Sequence, residues 1–254
     1  MLSLFTPILL ALTTAGPSAF GGSAQPAAST PTTTGPIAFG GSAQPAASTP
    51  ATTVRIRTPA PLGTAELELI TSIGGARAAT YGEMTPDGFV VFAFHVGLGA
   101  DDAFVDLGSG DGALVLQAGA EYGAVSSGIE LAESRHRSAL KALGAAPADA
   151  AARCSFVCGD ASGDAADELL ATATVVWCSN LCFGDELNRR LASRIAAAPH
   201  VRVVASLRPF PDGIRGLEQQ ELPLLCRMSW SGLVQPGQPP MPGHPCPVYL
   251  RTGK

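Results

Sequence analysis

VDLGSGDG (105–112) is the stretch on which the reading of this chain turns. It closes a short apolar run, AFVDLG (103–108), and opens GALVLQAGAEYG (112–123), whose apolar period suits a helix. A strand that passes through a Gly-rich turn into a helix is a βα unit suited to holding a ligand. Gly108, Gly110 and Gly112 let backbone approach a bound group closely, and the helix N-terminus supplies free N–H donors. By itself such a turn fits a nucleotide, a dinucleotide, a methyl donor or no ligand at all. Asp106 tips the choice, because a carboxylate at the strand end repels a pyrophosphate and suits an ammonium group.

Outward from this unit the alternation continues. AVSSGIE (124–130), RCSFVCGD (153–160), TVVWCSN (174–180) and VRVVASL (201–207) read as strands. DGFVVFAFHVGL (87–98), with Phe89, Phe92 and Val96 on one stripe, reads as a helix. LAESRHRSALKALGA (131–145) is a helix with an apolar face through Leu140 and Leu143 and charge opposite, and DAADELLA (164–171) is a short one. GDELNRRLASRIAAA (184–198) places Leu187, Leu191 and Ile195 on one face and its acids in the first turn, where the helix dipole favours them. Strands alternating with helices call for a parallel sheet covered on both faces. LPLLCRMSW (222–230) and CPVYLRT (246–252) are joined only by VQPGQPPMPGHP (234–245), so they are expected to form an antiparallel hairpin at one edge. The predicted fold is therefore α/β: a Rossmann-like, seven-stranded, mostly parallel sheet with an antiparallel terminal hairpin, the arrangement of class I methyltransferases.

Two further acids follow from this register. Glu130 ends the second strand, where a carboxylate accepts from ribose hydroxyls, and Asp160 ends the third, where it can accept from an adenine amino group. Each acid alone is as readily a helix cap. Three acids at the carboxyl ends of three successive strands point instead to one ligand lying across the sheet edge. His95, His136, His200 and His244 sit in unrelated segments, so no histidine base is expected.

The chain of 254 residues carries its formal net charge of −5 entirely beyond residue 54, since Arg55 is the first charged side chain. GPSAFGGSAQPAASTPTTT (16–34) recurs almost unchanged as GPIAFGGSAQPAASTPATT (35–53). That composition is too poor in bulky apolar groups to offset chain entropy, so residues 21–53 are expected to be a disordered linker. Residues 1–20 hold an apolar run, Leu2 to Leu12, too short to span a bilayer and of a length suited to a signal-peptide core. A secretory route is thus one expectation for this leader, and its Ser-Ala-Phe junction is similar to plastid leaders of algae. Residues 54–254 are left for one domain with one core. Only Lys141 and Lys254 are lysines and no basic run exists, so a strong autonomous grip on nucleic acid is not expected. The six cysteines include two C-x3-C pairs, both in apolar strand-like runs rather than turn-flanked knuckles, so they read as buried free thiols with no metal expected, disulfides or zinc being the alternatives.

YGEMTP (81–86), VDLGSGDG, GIE (128–130), CGD (158–160), SNLCFG (179–184), ASLRPF (205–210), MSWSG (228–232) and VYLRT (248–252) occur in this order. Together they resemble the disruptor-of-telomeric-silencing, or "Dot-one", family of histone H3 lysine methyltransferases over about residues 80–252. The resemblance implies S-adenosylmethionine as cofactor, a histone H3 or nucleosome partner and a nuclear location. By it, Tyr81, Gly82, Glu83 and Met84 fold over the cofactor. Phe104, Asp106, Gly108, Ser109, Gly110, Gly112 and Ala113 line its methionyl end, Glu130 takes the ribose, and Asp160 with Ala161 takes the adenine. Ser179, Asn180 and Phe183 stand beside the transferable methyl, and Tyr249 walls the lysine channel.

The chemistry of the residues agrees with that implication. Methyl transfer from a sulfonium is an in-line displacement in which the protein aligns and desolvates a neutral amine. Phe183, Tyr249 and Trp230 are the aromatic candidates for such a channel. The chain departs from the family pattern at Ala161, where an aromatic is usual, and at Met84, Ala113 and Ser179. These departures, with the acidic balance, leave two alternatives: a methyltransferase acting on a non-histone protein or small molecule, and a catalytically silent cofactor-binding module.

Overall fold

The structure is a computed structural model that describes residues 59–231 and 243–252. The leader and linker expected at 1–53, and most of the Pro/Gly-rich connection after residue 233, lie outside the described residues.

Two helices, α1 (Thr64–Gly74) and α2 (Pro86–Val96), precede the first strand. The sequence places α2 sharply: Thr85 caps it by accepting from the Gly88 N–H, Pro86 fits its first turn, and Gly97 ends it in the left-handed region. Next come β1 (Ala103–Leu107), α3 (Ala113–Tyr122), β2 (Val125–Glu130), α4 (Glu133–Gly144), α5 (Ala148–Ala151) and β3 (Cys154–Cys158). They are followed by α6 (Asp164–Leu170), β4 (Val175–Cys178), a 3-10 turn at Asn180–Cys182, α7 (Asp185–Ala197) and β5 (Val203–Ser206). Four short strands complete the order: β6 (Leu217–Gln219), β7 (Leu224–Cys226), β8 (His244–Cys246) and β9 (Val248–Arg251).

The main sheet has seven strands in the order β3-β2-β1-β4-β5-β9-β6. β1 to β5 are mutually parallel, and β9 runs antiparallel between β5 and β6. This is the expected class I methyltransferase sheet, with one reassignment at its antiparallel end. The partner of the last strand is the short LEQ segment of β6, not the apolar run 222–230. That run supplies β7, which pairs with β8 in a separate two-stranded ladder. Its side chains pack against α2 rather than extending the sheet, so apolarity alone pointed to the wrong ladder.

β4 and β5 are buried along their whole length, which suits central strands covered on both faces. One face packs Phe89 and Phe92 of α2 against Phe104 and Trp177, with Phe92 and Trp177 rings 5.5 Å apart. The other packs Leu187, Leu191 and Ile195 of α7 against Val176, Val204 and Tyr249. Burying each such large side chain contributes about 1.5–3 kcal/mol. Two expectations need correction. In α4 the inward face runs through Arg135 and Ala139 with Leu143 half-buried against the core as expected, while Leu140 is exposed. Of the cysteines, all free, Cys154, Cys178, Cys226 and Cys246 are buried, but Cys158 is exposed at the end of edge strand β3 and Cys182 is half-buried. Among the described residues no helix is long and apolar enough to cross a membrane, and no cluster of His, Cys, Asp and Glu could hold a metal ion.

Candidate functional site at the carboxyl edge of the sheet

Parallel strands end together, so β1, β2, β3 and β4 deliver their last residues to one edge. There the chain lines a crevice: one cavity of about 100 Å³ and a smaller one of about 30 Å³, sharing Tyr81, Gly82, Gly108, Gly110 and Ser179 in their walls. The Gly-rich turn forms the floor. Gly110 has φ +54°, and a Cβ there would lie 3.0 Å from the Tyr81 ring, so both the turn and the close approach require glycine.

Asp106 stands at the end of β1, 3% exposed, and its Oδ1 has no hydrogen-bond partner. Burial, then the charges of Glu130 and Glu83, push its carboxyl up to about 8. A buried acid in that condition wants a cation. Ser109, also buried, leaves its hydroxyl without a partner in the same turn. Glu130 is held differently: Oε2 accepts from Gly110 N at 2.9 Å and Oε1 from Ala132 N at 2.8 Å. Each oxygen keeps a second lone pair for a ligand hydroxyl. Asp160 accepts from Ser162 N (2.7 Å) and Ser162 Oγ (2.8 Å) through Oδ1, which fixes its carboxylate at the cavity wall beside Ala161.

The loop after α1 forms the roof. Tyr81 donates its hydroxyl to Glu83 Oε1. Residues 83–85 are laced to 227–229: Ser229 N donates to Glu83 O at 2.7 Å, Thr85 N to Arg227 O at 2.9 Å, and Met84 bridges Met228. Trp230 packs on Gly82 so closely that a Cβ there would fall 2.2 Å from its ring. The YGE motif and the MSWS stretch (228–231) therefore answer one another across the fold.

The crevice gathers Tyr81, Gly82, Gly108, Gly110 and Ser179 in both cavities. Glu130, Asp160, Ala161 and Phe183 line the larger; Glu83, Met84, Asp106, Ser109 and Ala113 line the smaller. Four expected residues stand elsewhere. Phe104 is core, edge-on to Phe89. Gly112 backs onto the Phe156 ring. Asn180 is fully buried, and its amide latches the end of β4 to the end of β5. Its Nδ2 donates to Asn188 Oδ1 (2.7 Å) and Arg208 O (3.1 Å), and its Oδ1 accepts from Leu207 N and Arg208 N, both at 3.0 Å. Tyr249 is 1% exposed, its hydroxyl accepting from Phe210 N at 3.0 Å, and it lines neither cavity. Ser179, by contrast, accepts from Trp177 Nε1 at 3.0 Å and faces both.

Sequence reasoning missed the contribution of α1 and α7. Ile70, Ile73, Leu187 and Leu191 close the larger cavity beyond Ala161. Arg135, read as part of a solvated helix face, also lines it. A ligand with a cation, a vicinal diol and a flat base fits what is present: a buried carboxyl with one partnerless oxygen, a backbone-braced glutamate and an apolar slot.

Residues 74–222 match the family model described as histone methylation protein DOT1. The chain is 29% identical over 145 residues to the histone-lysine N-methyltransferase, H3 lysine-79 specific, of Kluyveromyces lactis. That match covers 51% of this chain, which spans about a quarter (25%) of the relative's length. Among solved structures, an RNA methyltransferase from Salinibacter ruber with S-adenosyl-L-homocysteine is 22% identical, covers 65% of this chain and 88% of its own, and has a TM-score of 0.42. The glycopeptide N-methyltransferase MtfA is 24% identical, covers 56% and 66%, and has a TM-score of 0.42.

Proposed function

The chain belongs to the DOT1 family of histone methylation proteins, and from that premise we propose that it is a protein-lysine methyltransferase acting on histone H3, with residues 54–254 as its catalytic domain. Its cofactor is S-adenosylmethionine. The observation that carries the reading is Asp106, a buried carboxyl with a partnerless oxygen on the floor of a crevice that also holds Glu130 and Asp160. Asp106 takes the ammonium group, Glu130 the ribose hydroxyls and Asp160 the base.

The bound cofactor supplies a methyl group on a sulfonium. The protein orients and dries the acceptor. A lysine amine, with a reference pKa near 10.4, must arrive neutral, and an apolar wall favours the neutral form. Phe183 and Met84 furnish that wall, with the Ser179 hydroxyl at the end of β4 beside them and Trp230 backing the Gly82 loop. Asn180 and Tyr249 act from behind: one fixes the turn that carries Phe183, the other braces Phe210. A nuclear location accords with this substrate.

The acidic balance favours a second reading, methylation of another protein. With a net charge of −5 and no run of basic residues, the chain has no concentrated basic patch in its sequence with which to hold nucleosomal phosphates. Purified protein with labelled cofactor, offered nucleosomes, free H3 and cell lysate, separates the two. Labelled H3 supports the first reading; labelled lysate proteins with H3 untouched support the second. No heat on titration with cofactor near millimolar concentration would sink both.

A further inference from the structure

An arginine buried in the wall of a crevice built from acids has a job to do there. Arg135 stands in the first turn of α4 and is 8% exposed, with its guanidinium carbon 4.8 Å from the centroid of the Tyr81 ring. Its Nη2 donates to Ala79 O at 3.1 Å, and its Nε has no hydrogen-bond partner. Toward its hydroxyl end the same ring meets the glycine loop at Gly110. The residue before Arg135 is engaged too: Ser134 N donates to Glu66 Oε1 of α1 at 2.7 Å. The first turn of α4 is thus the mooring for the whole segment 64–83, through Glu66 on α1 and through Arg135 on the loop that follows.

We propose that Arg135 is a positioning residue for the cofactor: its guanidinium, laid over Tyr81, holds the roof loop down on the glycine loop. The proposal rests on the reading of the crevice as the S-adenosylmethionine site. Tyr81 lines both cavities, so where its ring sits decides how both halves of the crevice are covered. A guanidinium over an aromatic face gains most where water is excluded, as here. The guanidinium also keeps its carbon over the ring while one nitrogen reaches the Ala79 carbonyl, a pair of contacts that a lysine ammonium does not reproduce together.

The test is a double-mutant cycle on the full chain, read by calorimetry with S-adenosylhomocysteine. R135M, which keeps the length and loses the charge, is expected to weaken binding about 5- to 30-fold, and R135K to recover part of that loss. In a Tyr81→Leu background, R135M is expected to cost nothing further, because the ring through which it acts is gone. Wild-type affinity in R135M overturns the proposal. So does an equal loss with and without the Tyr81 ring, which assigns Arg135 to general support of the fold. Should R135M fail to fold, the same cycle with R135K decides the matter on the same two criteria. Absence of binding by the wild-type chain is a different result, and it removes the cofactor reading itself.

Discussion

Replacing Asp106 with asparagine separates a carboxyl that binds a cation from one that merely fills space. With no ligand, burial and the neighbouring charges of Glu130 and Glu83 raise this carboxyl to about 8. At pH 6 it is therefore almost wholly protonated. An ammonium group prefers the ionised form, so binding below pH 8 must expel a proton, and affinity must rise with pH. If only the ionised form binds, apparent affinity follows the ionised fraction, which grows roughly 25-fold between pH 6 and 7.5, or about 1.9 kcal/mol. Calorimetry with S-adenosylhomocysteine in buffers of different ionisation enthalpy reads both the affinity and the proton, which should approach one per site at pH 7. Asp106→Asn should bind more weakly at pH 7.5, with a flat profile and no proton. Stability gives an independent sign. Between the unfolded value near 3.8 and the folded value near 8, the native state holds a proton that the unfolded chain has lost, so ligand-free stability falls as pH rises through this window. The asparagine variant should accordingly melt higher than wild type at pH 8 without ligand. A flat wild-type affinity profile with no proton release would refute the assignment of Asp106 to the cofactor cation.

Glu130→Ala removes a charged acceptor and also frees Gly110 N and Ala132 N, so cofactor binding should weaken by about 1–3 kcal/mol; an unchanged dissociation constant would place the ribose elsewhere. Ala161→Phe adds a ring to the slot closed by Ile73 and Leu187, and should tighten S-adenosylhomocysteine by about 0.5–1.5 kcal/mol through stacking on the base. Weaker binding in that variant, read by the same titration, would show that the base does not lie against residue 161. Asn180→Ala leaves buried N–H and C=O groups unmatched at the ends of β4 and β5 and should cost about 2–4 kcal/mol in a denaturant melt. Loss of less than about half a kcal/mol, the scatter expected of a neutral substitution, would deny its latching role.

Local pattern was enough for the strands and helices whose signal is repeated along them. VVAS and VVWC are buried through and through, and Leu187, Leu191 and Ile195 return every turn, so each fixes its own element wherever the chain goes. The Gly-rich turn and its flanking acids were legible for the same reason: a βα unit needs them at fixed local spacing. Contacts between distant segments were not. LEQ at 217–219 carries no strand signal and becomes one because β9 offers an open edge, while the more apolar 222–230 is drawn to α2 and β8. Arg135 shows the same limit, since the charge that marks a solvated face in sequence is the charge that the face of the half-buried Tyr81 attracts.

The order of residues alone thus determined that this chain makes a doubly covered parallel sheet with a ligand-ready turn at the end of β1, because periodicity and turn chemistry act over a few residues. Only the tertiary structure decided which side chains reach the crevice. It withdrew Asn180 and Tyr249 into support, brought Ile70, Ile73 and Arg135 to the walls, and set Trp230 on Gly82. Those outcomes depend on distances between segments far apart in the chain, which packing settles and local pattern does not encode.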